Sequence, residues 1–356
     1  MIQTDEVHCE IAGCVGLITL NRPKALNALT QPMCLAIDQA LRDWAHDDKI
    51  ATVLVRGAGD RAFCAGGDVR VVAEEGMARR RSENDGRLGR EFFRDEYRMN
   101  RRIKRFPKPY IALIDGITMG GGIGVSVHGS HRIATERTLA AMPETGIGLF
   151  PDVGTSYVLP RLPGRMGAYL ALTGARLTAA DLLALGIATH FVPSDRMSAL
   201  VDNLIAADWS KGTDTVLSRY VADPGAPELA QHRAVIDRCF TGGRVETILS
   251  ALDADAGAFA KVTAVTLGTM SPTSLKIALE EMRRSATLDF DACLVMEYRL
   301  TQSILEGHDF YEGIRAQLID KDRGPKWAPP TLGDVDDAAV GDYFKTPPHG
   351  DLTFPD

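Results

Sequence analysis

Two acidic residues stand in a segment that otherwise carries no charge. Glu144 and Asp152 belong to the run MPETGIGLFPDVG at residues 142–154, where their neighbours are Gly, Pro and apolar side chains. Burial of a carboxyl in such surroundings raises its pKa, which suits a proton carrier or a nucleophile better than a surface charge. The alternative for Asp152 is a helix cap, because a helix is predicted to begin near Val153. The residues by themselves favour neither reading.

Two glycine-rich segments, AFCAGGD at 62–68 and DGITMGGGIG at 115–124, each leave a predicted strand and enter a predicted helix. Glycines let backbone N–H groups approach a ligand, and the first N–H groups of a helix lack intrahelical acceptors, as a developing oxyanion requires. The second segment is neither a dinucleotide fingerprint nor a phosphate loop, because GxGxxG and the Lys-Ser/Thr ending are absent. The alternative is tight turns with close helix–sheet packing. Cys64 is interpreted as a packing residue rather than a nucleophile.

The elements that must position these segments alternate along the chain. Residues 7–11 and 15–20 predict a hairpin, residues 52–55 and 110–114 predict buried strands, and Thr30 is a plausible cap of an intervening helix. Such alternation predicts an α/β core over residues 1–195. The β signals fade afterwards, so residues 196–330 are predicted to be a helical region. Residues 331–356 hold six Asp and one Lys, which suits an acidic, surface-wrapping tail.

Composition limits the classes of function. The chain has 356 residues, 45% of them hydrophobic, and a net charge of −7, which argues against disorder and gives no global attraction to nucleic acid or an anionic membrane. Six cysteines without a CxxC pair are interpreted as reduced, and the first residues show no targeting pattern, so a cytoplasmic location is expected.

Two further patterns are set aside. The basic run at 90–108 is interpreted as a solvated helix face rather than a phosphate patch. His128 and His131 lack a third ligand nearby in the sequence, so no metal is expected.

Taken in order, the run NRPKALNA at 21–28, the two glycine segments and the acidic segment resemble the crotonase (enoyl-CoA hydratase/isomerase) superfamily over nearly the full length. The chain is most similar to the branch that hydrolyses β-hydroxyacyl-CoA, through FFRDEYR at 92–98, DFYEGIRA at 309–316 and KDRGPKW at 321–327. The resemblance implies an α/β fold, a crotonase-like spiral of repeated ββα units with a helical C-terminal region.

The resemblance also implies roles for single residues. The backbone N–H groups of Gly67 and Gly121 would hold the thioester oxygen, and Glu144 matches one of the two glutamates of the hydratases. Gly124 stands where the other glutamate is found, and Asp152 stands where hydratases usually have glycine. This pattern implies hydrolysis of a short branched β-hydroxyacyl-CoA, 3-hydroxyisobutyryl-CoA of valine catabolism, rather than hydration. Glu144 would be a covalent nucleophile or a general base, and Asp152 would bind the substrate hydroxyl or position the water.

Substrate contacts follow from the same resemblance. Lys24, Ala25 and Ala65 are expected along the CoA, while Phe92, Phe93 and Tyr97 would wall the acyl pocket or belong to the core. No cofactor is expected beyond the CoA of the substrate, and a homo-oligomer is left open. The alternatives are an enoyl-CoA hydratase or isomerase that uses Glu144 alone, and a non-catalytic acyl-CoA binding protein.

Overall fold

A computed structural model of the chain describes residues 4–83, 85–209 and 212–355, and these residues divide into two compact units. The first unit contains residues up to 67, 98–141 and 176–230, and the second contains 68–97, 142–175 and the chain from 231 onward. Each unit is therefore assembled from three separate segments. The domain boundaries predicted at residues 195 and 330 divide the chain into consecutive segments, and they stay predictions.

All the strands of the described residues lie in the first unit. They are β1 (Val7–Ala12), β2 (Val15–Leu20), β3 (Thr52–Gly57), β4 (Ala62–Cys64), β5 (Tyr110–Ile114), β6 (Ile117–Met119), β7 (His131–Ala134), β8 (Leu139–Ala141) and β9 (His190–Phe191). The hairpin predicted at the start of the chain is confirmed as the antiparallel pair β1–β2.

The strands form a large and a small sheet. The large sheet has the order β1-β2-β3-β5-β7-β9 and is parallel apart from its first pair, and the small parallel sheet has the order β4-β6-β8. The consecutive pairs β3–β4, β5–β6 and β7–β8 each give one strand to each sheet. This alternation, with helices following β4 and β6, is the repeated ββα spiral that the resemblance implies.

The described residues contain sixteen α-helices. They are α1 (Gln31–Ala45), α2 (Val69–Arg80), α3 (Arg87–Lys104), α4 (Gly121–Val127), α5 (Thr155–Val158), α6 (Met166–Thr173), α7 (Ala179–Ala184), α8 (Met197–Ile205), α9 (Thr213–Leu217), α10 (Arg233–Cys239), α11 (Val245–Ala254), α12 (Ala258–Thr269), α13 (Pro272–Ser285), α14 (Phe290–Ile304), α15 (Asp309–Ile314) and α16 (Asp337–Asp342). Thr30 caps α1 through its hydroxyl, as predicted. No strand follows Phe191 in the described part of the chain, so the last third is helical as expected.

One core of the first unit lies on the large sheet. Leu54, Ile111 and Ile133 from three neighbouring parallel strands pack with Leu200 and Leu204 of α8, and all five are buried. Strands that are covered on both faces lose the polar alternation of a one-sided sheet, which explains the continuous apolar run of β5.

The last residues of the chain pack against helices of the second unit, to which they belong. The Lys276 ammonium of α13 donates to the Val335 carbonyl over 2.8 Å and pairs with Asp337, while Arg299 of α14 pairs through two bonds with Asp351. The acids of this segment are therefore partly neutralised by bases on the helices below.

Candidate active site

The two glycine segments predicted to supply the amides for the thioester oxygen pack against each other in the first unit. Gly67 follows β4 and Gly121 begins α4 directly after β6, and β4 and β6 are paired parallel strands. A Cβ built on Gly66 would lie 3.4 Å from the Met119 carbonyl oxygen and 3.8 Å from the Gly121 nitrogen. Gly66 has φ +115°, a region that side chains avoid, so only glycine allows this approach. The two glycine segments are therefore in contact.

Close packing of α4 on β4 explains a second glycine of the run. A Cβ on Gly122 would stand 2.2 Å from the Cys64 carbonyl oxygen, so any side chain there would push α4 away. Cys64 itself is fully buried, and its thiol donates to the Gly66 carbonyl over 3.6 Å. Cys64 is thus buried in the core, as its interpretation as a packing residue predicts. The glycines allow close packing of α4 on β4, and this is compatible with the proposed role of their amides.

The turn expected to contact CoA lies against the first glycine segment. Residues Pro23–Ala25 form one turn of 3-10 helix, in which Lys24 and Ala25 are exposed. The Ala65 N–H donates to the Leu26 carbonyl over 3.0 Å, so the structure brings Lys24, Ala25 and Ala65 to one place in the first unit.

Asn27 fixes this turn and was not singled out by the sequence. It is fully buried with φ +58°, its amide donates to the carbonyls of Ala58 and Ala62 over 2.9 Å, and its oxygen accepts from the Arg22 N–H over 2.9 Å. Asn is one of the few side chains that tolerate left-handed backbone, which is the signal in NRPKALNA that could have indicated this role.

In the second unit, Glu144 opens the 3-10 turn Glu144–Ile147. Its side chain is buried, and Oε2 has no hydrogen-bond partner within residues 4–83, 85–209 and 212–355. Burial raises the pKa of Glu144 well above its usual value, and the negative charges of Asp152 and Glu96 raise it further. The Glu144 carboxyl is therefore protonated more readily than an exposed glutamate.

The turn that carries Glu144 is supported by the DFYEGIRA segment. Gly148 ends the turn with φ +73°, and a Cβ there would stand 2.2 Å from the backbone carbonyl of Asp309. A Cβ on Gly313 would similarly reach the Ile147 carbonyl at 2.4 Å. α15 therefore packs backbone to backbone against the turn. The sequence of this segment carried only the family resemblance, and its packing role was not predicted.

Asp152 is buried, and its side chain accepts a hydrogen bond from the Tyr97 hydroxyl over 2.7 Å. It does not cap α5, because that helix begins after Gly154 and has no side-chain cap. Burial raises the pKa of Asp152 to about 7, although the hydrogen bond from Tyr97 acts in the opposite direction. The carboxyl therefore changes charge close to neutral pH, as the predicted proton carrier must.

The predicted aromatic residues lie on α3 and are all buried. The ring centroids of Phe92 and Phe93 are 5.4 Å apart in an edge-to-face arrangement, and those of Phe93 and Tyr97 are 6.0 Å apart. Such contacts are found in a core as well as in a pocket wall, so the structure agrees with both predicted roles of Phe92 and Phe93. Tyr97 is distinguished by its bond to Asp152.

Three more buried carboxyls of the second unit have pKa values that the charge of Asp152 raises, and none of them was predicted from the sequence. Glu96 of α3, Glu281 of α13 and Glu297 of α14 are 0–2% exposed. Burial and the charge of Asp152 raise the pKa of Glu297 to about 8. Burial likewise raises the pKa of Glu96 and of Glu281, with Asp152 and Glu297 contributing to both. Glu281 and Glu297 lie on the apolar faces of their helices. An acid on an apolar helix face was the signal in the sequence that could have indicated their burial.

The bases of α3 pair with acids of the same helix. Arg87 pairs with Glu91 over 2.8 Å, and Arg94 pairs with the buried Asp95 over 2.9 Å. The basic run is therefore only partly exposed, and its interpretation as a solvated helix face stays a prediction. His131 stacks on His190, and no group of three His, Cys, Asp or Glu side chains in the described ranges could hold a metal ion. No helix in those ranges is long and apolar enough to cross a bilayer.

Comparison with known proteins agrees with this architecture. The family model of the enoyl-CoA hydratases/isomerases matches residues 15–344, and the chain therefore belongs to the enoyl-CoA hydratase/isomerase family. Two crystal structures share the fold over almost the whole chain. A carnitinyl-CoA dehydratase from Mycobacterium thermoresistibile is 43% identical with a TM-score of 0.92, covering 99% of each chain. An enoyl-CoA hydratase from Rhodobacter sphaeroides is 39% identical with a TM-score of 0.89, covering 98% of this chain and 100% of that one.

Curated relatives carry a different name. The mitochondrial 3-hydroxyisobutyryl-CoA hydrolase of Danio rerio is 48% identical over 98% of this chain and 91% of the relative. The protein of the same name from Homo sapiens is 45% identical over the same shares. The relatives and the solved structures thus agree on the family and differ on the reaction.

Proposed function

We propose that this chain hydrolyses a short branched β-hydroxyacyl-CoA thioester, 3-hydroxyisobutyryl-CoA, to the free acid and CoA, a step of valine catabolism. The observation that carries the proposal is the pairing of two buried, charge-coupled carboxyls, Glu144 and Asp152, in one unit. The family resemblance implies that hydratases usually have glycine at the position of Asp152. The names of the curated relatives support the same reaction.

The amides of Gly67 and Gly121 would stabilise the charge that develops on the thioester oxygen. Loss of one such donor typically costs about 3–4 kcal/mol of transition-state stabilisation. The same two donors would also stabilise an enolate. The choice of reaction therefore depends on the acids.

Ionised Glu144 can act by two routes. As a general base it takes a proton from water, and the hydroxide oxygen bonds to the acyl carbon. The C–S bond then breaks, and Glu144 gives the proton taken from water to the leaving CoA thiolate. As a nucleophile Glu144 displaces CoA and forms a mixed anhydride, which water cleaves to the acid and free Glu144. Asp152 would bind the β-hydroxyl of the substrate or position the water.

One turnover in heavy-oxygen water tests for the anhydride. Label on the Glu144 carboxyl identifies the anhydride, because labelled water has then attacked its glutamyl carbonyl. Direct attack by water places the label in the product acid alone, as does attack of water on the acyl carbon of the anhydride.

The proposed substrate contacts are those implied by the resemblance. Lys24, Ala25 and Ala65 would follow the CoA, and their shared location in the first unit supports this assignment. Phe92, Phe93 and Tyr97 would shape the acyl pocket.

A second candidate function is hydration or dehydration with Glu144 as the acting acid. It is favoured by the names of the two solved structures that share the fold. Hydration of an enoyl-CoA releases no thiol, whereas hydrolysis does, so a thiol reagent distinguishes the two reactions. A non-catalytic acyl-CoA binding protein would bind these esters without either change.

The decisive experiment measures thiol release from 3-hydroxyisobutyryl-CoA and water addition to crotonyl-CoA by the same preparation. We expect thiol release by the wild type, with a loss of at least about 100-fold in Glu144→Gln and a clear loss in Asp152→Asn. Full activity in both variants would contradict the site assignment. Water addition without thiol release would replace the hydrolase by the hydratase.

The expected cytoplasmic location, the absence of a cofactor and the oligomeric state stay predictions. The curated relatives are named as mitochondrial proteins. Sedimentation of the purified chain would determine its oligomeric state.

A further inference from the structure

The loop after Asp152 adopts an unfavourable backbone conformation. Val153 has φ +54° and Gly154 has φ +80°, so two successive residues are left-handed. Glycine accepts this conformation, but a β-branched valine rarely does. Such backbone persists only where the surroundings hold it, and it is found most often at functional sites.

Glu297 is the group that holds this loop. Its Oε2 accepts a hydrogen bond from the Gly154 N–H over 2.7 Å, and its Oε1 accepts from the N–H and the hydroxyl of Ser156 over 3.2 and 2.5 Å. Glu297 is fully buried on α14, and all of these groups belong to the second unit. Three donors therefore converge on a single carboxyl.

The same loop determines where Asp152 points. The Asp152 carbonyl accepts from the N–H of Thr155 over 3.0 Å and from its hydroxyl over 2.7 Å, which closes residues 152–155 into a compact turn. Glu297 holds the following backbone, and the Tyr97 hydroxyl holds the carboxyl itself. A shift of Gly154 and Ser156 would thus be passed directly to Asp152.

We infer that Glu297 is a positioning residue for Asp152 and thereby sets the preference of the site for a β-hydroxylated acyl chain. The inference rests on the proposed function, in which Asp152 binds the substrate hydroxyl. Glu297 acts through the loop and does not touch the substrate.

Glu281 provides a matched control in the same cluster. It is fully buried and charge-coupled to Glu297, Asp152 and Glu144, yet neither of its carboxyl oxygens has a partner in the part of the chain that the structure describes. Glu281→Gln and Glu297→Gln therefore both remove one buried acid. Only Glu297→Gln disturbs hydrogen bonds to the Asp152 loop.

The test compares two esters that differ only in the hydroxyl, 3-hydroxyisobutyryl-CoA and isobutyryl-CoA. The measured quantity is the ratio of their kcat/KM values for thiol release by the purified full chain. We expect Glu297→Gln to lower the ratio of kcat/KM for 3-hydroxyisobutyryl-CoA to that for isobutyryl-CoA at least about fivefold, and Glu281→Gln to leave this ratio within about twofold of the wild type. An equal loss of kcat/KM for both esters in Glu297→Gln, or the same fall of the ratio in Glu281→Gln, would overturn the inference. Ser156→Ala removes one of the three donors and should lower the ratio less, and it replaces Glu297→Gln in the test if that variant does not fold.

A double-mutant cycle separates positioning from general damage. In an Asp152→Asn background, Glu297→Gln should change the ratio by less than about twofold, because the residue through which it acts has been altered. An undiminished effect in that background would overturn the inference alone. If the wild type releases thiol from neither ester, both the proposed function and this inference are overturned.

Discussion

The Tyr97 hydroxyl donates a hydrogen bond to Asp152 Oδ2 over 2.7 Å, joining α3 to a loop 55 residues further along the chain. This bond favours the ionised carboxyl and partly opposes the effect of burial on the pKa of Asp152. Tyr97 therefore controls the charge of the acid as well as its orientation.

Tyr97→Phe should raise the pKa of Asp152 above its value of about 7, because the carboxylate loses a donor while burial is unchanged. If ionised Asp152 is required, the ascending limb of kcat/KM against pH moves to higher pH. We expect a loss of about tenfold at pH 6 and a smaller one at pH 9. Tyr110→Phe is the control, since it removes a buried hydroxyl that donates to the Val125 carbonyl in the first unit. A limb that stays in place in Tyr97→Phe would contradict the assignment.

Gly148→Ala should displace the turn of Glu144. The added Cβ would meet the Asp309 backbone at 2.2 Å, and misplacement of a reacting group by about 1 Å costs about 100-fold in rate. Gly186→Ala is the control, because Gly186 is also left-handed but has nothing within 4 Å of the new Cβ. Both variants should lose about 1 kcal/mol of stability from the backbone conformation. Gly148→Ala should lose more, because its Cβ also meets the Asp309 backbone. Only Gly148→Ala should lose activity, as measured by thiol release beside thermal unfolding.

Asn27→Ala should loosen the turn that carries Lys24 and Ala25. It removes three hydrogen bonds of a buried side chain, for which we expect a loss of about 2–4 kcal/mol in the free energy of unfolding. KM for the CoA ester should rise more than kcat falls, because the turn is assigned to CoA binding. Asn203→Ala on the exposed face of α8 should change stability by less than about 0.5 kcal/mol. An unchanged KM in Asn27→Ala would separate this turn from CoA.

Glu281→Gln should stabilise the protein increasingly as the pH rises. Because the folded pKa of Glu281 lies above the unfolded value, its ionisation opposes folding, and stability present at acidic pH is lost as the pH rises towards the folded pKa. The Tm gain over wild type should therefore grow between pH 5 and pH 8, by about 2 °C or more. Glu280→Gln should show no such gain, since arginines lower the pKa of Glu280. A Tm difference that is independent of pH would contradict the buried-acid explanation.

Features that depend on local sequence patterns were predicted correctly. Strand patterns located the hairpin and β5, the Thr30 cap located α1, and the glycine segments were expected after strands and before helices. The contact between Gly66 and the Gly121 region could only be inferred through the family resemblance. It depends on the pairing of β4 with β6, which are far apart in the chain.

The missed features depend on long-range packing. The apolar helix faces on which Glu281 and Glu297 lie could have indicated their burial, but nothing nearby in the sequence tells that Asp152 acts on them. The role of Gly313 against Ile147 is likewise set by backbone contact across the second unit. Patterns of period two or 3.6 report which face of an element is buried, but they do not report its neighbour.

The backbone contact between α15 and the turn of Glu144 bears on how the protein matures. Glu144 leaves the ribosome long before Gly313, so a nascent chain contains the proposed catalytic acid before the helix that packs against its turn. Shortened translation products that end before α15 should consequently be inert, however well their sheets have formed.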